Sequence, residues 1–261
     1  MLILELLCKR GSEVSREAAD LILMDDNFST IVDTIKDGRR IYDNIRKAVG
    51  YVFVIHIPIA FASLLAPFLK INPASLLLLP IHVVLLELII DPTCSIVLER
   101  QPAEIDIMER SPRNPHEEIL TSSILIKSIV QGVIIFAASF GTYYTFLLKN
   151  PENAALARTM GLSIIIIANL FLVQVNSSSR EYAFKSIHRL YKDNVMWAAG
   201  IGTVGGLLLM LYTPLSSILK LAPLSFSQFI TVVLIAAVSV FWYEIVKVVE
   251  CNQAAPDNRR M

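Results

Sequence analysis

The sequence predicts an all-α polytopic membrane protein: a bundle of six transmembrane helices behind a short cytoplasmic N-terminal fragment made of a strand and a long stalk helix. Three observations predict it. Of 261 residues, 54% are hydrophobic and 18% charged, with a mean hydropathy of +0.59. The apolar residues gather in blocks at Ala48 to Leu69, Ala74 to Leu98, Ile124 to Leu148, Ala157 to Val175, Val195 to Tyr212 and Phe226 to Val249, each close to the ~20 residues a helix needs to cross a bilayer. The basic residues divide between alternate connections. Lys70, Lys149 with Arg158, and Lys220 are the only ones after the first, third and fifth blocks, whereas Lys36, Arg39, Arg40, Arg46 and Lys47 precede the first. Arg100, Arg110 and Arg113 follow the second, Arg180, Lys185, Arg189 and Lys192 the fourth, and Lys247, Arg259 and Arg260 the sixth. That asymmetry predicts both termini and the longer loops on the cytoplasmic side of what is read as a plasma membrane protein.

Residues 1–47 read as a cytoplasmic fragment and stalk, 48–250 as the membrane domain and 251–261 as a tail. Met1 to Leu7 is too short for a signal peptide core. Ala18 to Met24 reads as a short strand leaving a helix, Asp25 to Phe28 as a turn, and Ser29 as the N-cap of a helix. Ile31, Val32, Ile35, Ile41, Ile45 and Val49 recur at helical spacing without a break into the first span. A lone strand and a helix start bury no core, so this piece reads as part of a larger domain. Lys70 to Pro73 is short enough to make the first two spans antiparallel neighbours, and Gln101 to Ile119, with three prolines, reads as an ordered irregular connector. The equal counts of Lys+Arg and Asp+Glu, 23 each, leave no basic surface and exclude a nucleic-acid partner. Cys8, Cys94 and Cys251 show no metal-ligand spacing and read as reduced.

The chemistry concentrates in LLELIIDPT, residues 85–93. A carboxylate at mid-membrane costs several kcal/mol, about 3 on insertion scales. Glu87 and Asp91, four apart, share one helical face where like charges repel, and a shared cation removes both costs. Pro92 is expected to push Asp91 off α geometry and to free the carbonyl of Leu88 as a further oxygen ligand. Pro58 does the same for the carbonyl of Val54 in the first span, where His56 is either a packing residue or a ligand. Asn169 and Gln174 in the fourth span are either interhelical hydrogen-bonding groups or outer ligands, with packing the better reading for Gln174. Several oxygens suit a hard ion, with Ca²⁺ favoured.

The stretch from Gly11 to Ile31, GSEVSREAADLILMDDNFSTI, resembles the end of the phosphorylation domain of P-type cation-transporting ATPases, calcium-pump branch. Gly38 to Ile45 resembles the stalk of their fifth membrane helix, and Ile105 to Arg113 the loop after their sixth. The resemblance runs to about Val249. It implies that the six spans are helices five to ten, that Glu87 and Asp91 occupy ion-ligand positions of helix six, His56 an amide position of helix five, and Asn169 the place of an acid in helix eight. It further implies that the stalk, through Asn44 and Arg46, carries motion to the ion site. Ile59, Ile90 and Glu87 depart from the calcium-pump pattern of acid, hydroxyl and asparagine, which favours a single site or another cation. The Asp-Lys-Thr-Gly phosphorylation motif and the Gly-Asp-Gly magnesium motif do not occur in the 261 residues. ATP and Mg²⁺ therefore belong to the intact family pump, and a separately encoded N-terminal half is one implied partner. A non-catalytic membrane subunit, a passive cation pathway and a truncated inactive product are the alternatives.

Overall fold

The structure, a computed structural model, describes residues 6–8, 12–25, 27–113, 117–177 and 194–254. Two compact units are formed, Met1–Asp43 with Pro102–Pro112, and Asn44–Gln101 with Arg113–Met261.

In the first unit, strand β1 (Leu6–Cys8) pairs in parallel with β2 (Leu21–Leu23), Leu7 opposite Ile22, across helix α1 (Glu13–Ala18). The β2 strand and α1 lie where the sequence puts them, whereas β1 has no counterpart among the expectations. Its three residues, LLC, are too few to show a period of two. Helix α2 (Phe28–Phe68) begins one residue before Ser29, and its first turn is held by Asn27. The Asn27 side chain accepts from the amide of Ser29 at 3.0 Å, so Asn27 takes the capping place expected of Ser29. The proline-rich connector is ordered: Ile107 is buried, Arg39 donates to the carbonyls of Ile107 and Arg110 at 2.8 and 2.9 Å, and Arg110 reaches Asp106 at 2.8 Å and Asp43 at 2.6 Å. Asp106 first, and Asp43 after it, push the Arg110 guanidinium still further above its ordinary value, so it stays charged throughout.

The second unit is the membrane bundle. Five described helices are long and apolar enough to cross a bilayer: α2, α4 (Ser122–Lys149), α5 (Ala154–Asn176), α6 (Asn194–Tyr212) and α7 (Phe226–Ala254). The remaining expected span is shorter. Its helix α3 (Pro80–Pro92) starts six residues after Ala74, at Pro80, whose fixed φ and missing N–H suit a first helical position. Residues 76–79 are non-helical, and α3 then runs directly into a π-helical stretch, Thr93–Leu98. Asp91 keeps helical backbone, contrary to the expectation that Pro92 would displace it. The irregularity falls after the proline, in the π-helical stretch, while α3 stays helical through Pro92.

Helix α5 is the axis of the bundle. It is buried on nearly every side from Ala157 to Asn169, with α4 and α7 packed along it and against each other. Its sequence is mostly apolar on every side, as suits a helix enclosed by others, with Arg158, Thr159, Ser163 and Asn169 as buried exceptions. Close approach to α4 is set by Gly161, where an added Cβ would stand 2.5 Å from Leu77 and 3.1 Å from the Ser139 carbonyl.

Candidate functional site

His56 and Glu87 come together from two helices. In α2, His56 Nδ1 lies 2.7 Å from the carbonyl oxygen of Val52, one turn back. A carbonyl only accepts, so Nδ1 carries the hydrogen and Nε2 faces α3. There it lies 3.3 Å from Oε1 of Glu87. The imidazole nitrogen and the carboxylate oxygen are thus held within contact distance by two different helices. Both side chains are partly exposed, 48% for His56 and 34% for Glu87. Oxygen and nitrogen are thus presented side by side on one accessible face, where a cation would meet both.

The other predicted ligands fall around this pair unequally. Asp91 is one turn along α3 from Glu87 on helical backbone, and its side chain lies outside the described residues. The Leu88 side chain is exposed, as suits a residue offering only its carbonyl. Pro58 stands inside an unbroken α2, leaving the Val54 carbonyl without the usual i+4 donor. That oxygen is pressed by α4, for a Cβ built on Gly132 would come within 2.8 Å of it. Asn169, in α5, is 4% exposed, and both atoms of its amide lack a hydrogen-bond partner among the described residues. Among the described residues, no three His, Cys, Asp or Glu side chains gather in one place.

Gln131 was missed by the sequence reading. It is buried in α4, and among the described residues neither of its amide atoms has a partner, nor does the hydroxyl of Ser163 in α5. The contact between Gly161 and Ser139 sets those residues level on antiparallel helices. Eight residues further, about 12 Å along both, Gln131 and Asn169 are level too. Buried amides left unpaired cost about 1–3 kcal/mol per group, and two of them at one height mark the polar interior of the bundle. The signal was present in the sequence: a lone amide in the aliphatic run IVQGVII, the same feature that singled out Gln174.

Asn44 and His82 are held by structure. Asn44 is buried and donates to the carbonyls of Glu99 and Gln101 at 3.0 and 2.8 Å, tying α2 to the end of the π-helical stretch. His82 Nδ1 accepts from the amide of Leu79 at 3.2 Å, so Nε2 donates to the Leu219 carbonyl at 2.8 Å. At the opposite end, Lys47 donates to the Ser177 carbonyl at 3.1 Å and Lys247 to that of Val175, two cations on the last carbonyls of α5.

Residues 75–249 match the family described as "Cation transporting ATPase, C-terminus". The chain is 30% identical over 237 residues to a "Calcium-transporting ATPase" of Bacillus subtilis, covering 88% of this chain and 25% of that protein. It is 29% identical over 175 residues to "Cation-transporting ATPase pma1" of Synechocystis, covering 67% and 19%. Over 157 residues it is 37% identical to "Sodium/potassium-transporting ATPase subunit alpha-2" of Gallus gallus, covering 59% and 15%. The chain spans about a quarter or less of the length of these relatives.

Proposed function

This chain belongs to the P-type cation-transporting ATPases, as a C-terminal membrane region of that family, and from that premise we propose that it forms part of the cation-translocating path of an ATP-driven pump. The observation that carries the reading is the approach of Glu87 to His56 across α2 and α3 at 3.3 Å. A titratable pair on two neighbouring membrane helices is costly unless it serves an ion. Glu87 and Asp91 are the charged ligands, the Leu88 and Val54 carbonyls and the Asn169 amide the neutral ones, and His56 the exchangeable one. Two acids with carbonyl and amide oxygens favour Ca²⁺, a hard ion that takes six to eight oxygens. Both termini are assigned to the cytoplasmic side of a plasma membrane, on the distribution of Lys and Arg. ATP hydrolysis is not assigned to these residues. It belongs to the remaining length of the pump, in the same polypeptide or in a separate N-terminal half.

Equilibrium binding of radioactive Ca²⁺ to the purified full chain in lipid nanodiscs tests the assignment. Glu87→Gln and Asp91→Asn should each weaken binding tenfold or more, about 1.4 kcal/mol, while Gln174→Ala leaves it within twofold. Equal binding by all four proteins would remove Glu87 and Asp91 from the site.

A further inference from the structure

An apolar trough of about 560 Å³ runs between α4 and α7, lined by Ile134 and Ala138 on one side and by Leu234, Val238, Ser239 and Trp242 on the other. That volume falls in the range of about 300–1,000 Å³ typical of small-molecule sites. We propose that the trough binds one anionic diacyl phospholipid, an acyl chain in the trough and the phosphate on Lys127.

The depth of each group fits that occupant. Lys127 and Lys149 bracket α4, and the 22 residues between them rise about 33 Å, the thickness of a hydrocarbon core. Lys127 therefore stands at the headgroup boundary, and Ile134 and Ala138 about 10 and 16 Å further into the acyl region. Across from Lys127, the ammonium lies 4.4 Å from the centre of the Tyr243 ring, and that ring meets Trp242 edge-on at 5.7 Å. A cation and two aromatic rings at the mouth of an apolar groove form an interfacial belt.

A second transmembrane helix fits less well. From Leu234 to Trp242 the trough is about 12 Å long, under half the seam that a spanning helix would need. A lipid requires only that upper part, and Lys127 at its mouth complements a phosphate where a helix would bring no charge.

Native mass spectrometry of the full chain, delipidated in detergent and titrated with phosphatidylglycerol or phosphatidylcholine, decides the matter. The expected result is one phosphatidylglycerol bound in preference to phosphatidylcholine. Lys127→Gln should lower that preference about fivefold, the effect of one interfacial lysine, and Val238→Trp should displace both lipids by filling the trough. Val238 is exposed on α7, so the second variant keeps the packing of the bundle, and unchanged thermal melting of both proteins confirms it. Equal phosphatidylglycerol binding by wild type and either variant would overturn the proposal. So would a co-purified polypeptide that Val238→Trp releases while lipid binding stays the same.

Discussion

Asp25 holds the entrance of α2 with both carboxylate oxygens, one accepting from the amide of Asn27 and the other from the hydroxyl of Thr30. The Thr30 hydroxyl first, and the Asn27 amide after it, keep the Asp25 carboxyl below its ordinary value, because both bonds favour the ionised form. The sign of the pH dependence follows. With a pKa lowered in the folded state, the contribution is complete above the unfolded value, about 3.9, and is lost as the pH falls through the folded one. A carboxyl-carbon NMR titration should therefore find Asp25 titrating below free aspartate, and Thr30→Val should return it toward that value. A midpoint unmoved by Thr30→Val would mean that the hydroxyl does not hold the carboxylate. At the same scale, side-chain chemistry was legible where a polar group interrupts an apolar run: Glu87, His56 and Asn169 all stand out in that way. That His56 and Glu87 meet was not legible, because each lies on a different helix.

Two glycines of the bundle look alike in the sequence and behave oppositely at the level of the helix. Gly132 sits in α4 where an added Cβ would lie 2.7 Å from Ile57 Cβ and 2.8 Å from the Val54 carbonyl oxygen. Neither can swing away, so Gly132→Ala should cost about 1–3 kcal/mol by overpacking, which outweighs the gain of up to ~1 kcal/mol from better helix propensity. Gly205 in α6 meets nothing within 4 Å, and there Gly205→Ala should stabilise by that propensity gain alone. Melting of the two variants in one detergent checks both signs. Helix ends carry a related prediction. Lys70 closes α2 with a φ of 51°, its amide bonded to the Pro67 carbonyl and the next amide to that of Ala66, the pattern that favours glycine. Lys70→Gly should relieve the roughly 1–2 kcal/mol of left-handed strain at an entropic cost of about 0.5–1, a small net gain in melting temperature. The existence of these helices was readable from hydropathy alone. The π-helical stretch after Pro92 and the delayed start of α3 were not, because both depend on how the backbone satisfies its own hydrogen bonds around a proline.

For the whole bundle, length and hydropathy located the spans, but the contacts that close one end of it involve groups that leave no mark in the sequence. Arg158 reads as a basic residue of a short connection, yet it lies within α5 with 2% of its surface exposed. Its guanidinium donates to three carbonyls: Leu76 at 2.7 Å, Ala74 at 2.6 Å and Lys220 at 2.7 Å. The first two belong to the segment before α3 and the third to the connection before α7, so one side chain ties both to the central helix. The acceptors are main-chain oxygens, present at every position and therefore invisible to a pattern of side chains. A charged hydrogen bond contributes about 1.5–3 kcal/mol, and three sharing one donor group are not additive, so Arg158→Gln should cost about 3 kcal/mol or more. Arg158→Lys separates charge from geometry. Lysine keeps the positive charge but has a single nitrogen on a flexible stem, which cannot serve carbonyls on two connections as the planar fork does. Thermal unfolding of the purified chain should therefore show the lysine variant nearly as unstable as the glutamine variant. Full rescue by lysine would mean that the charge alone, and not the three-way clasp, holds that end of the bundle together.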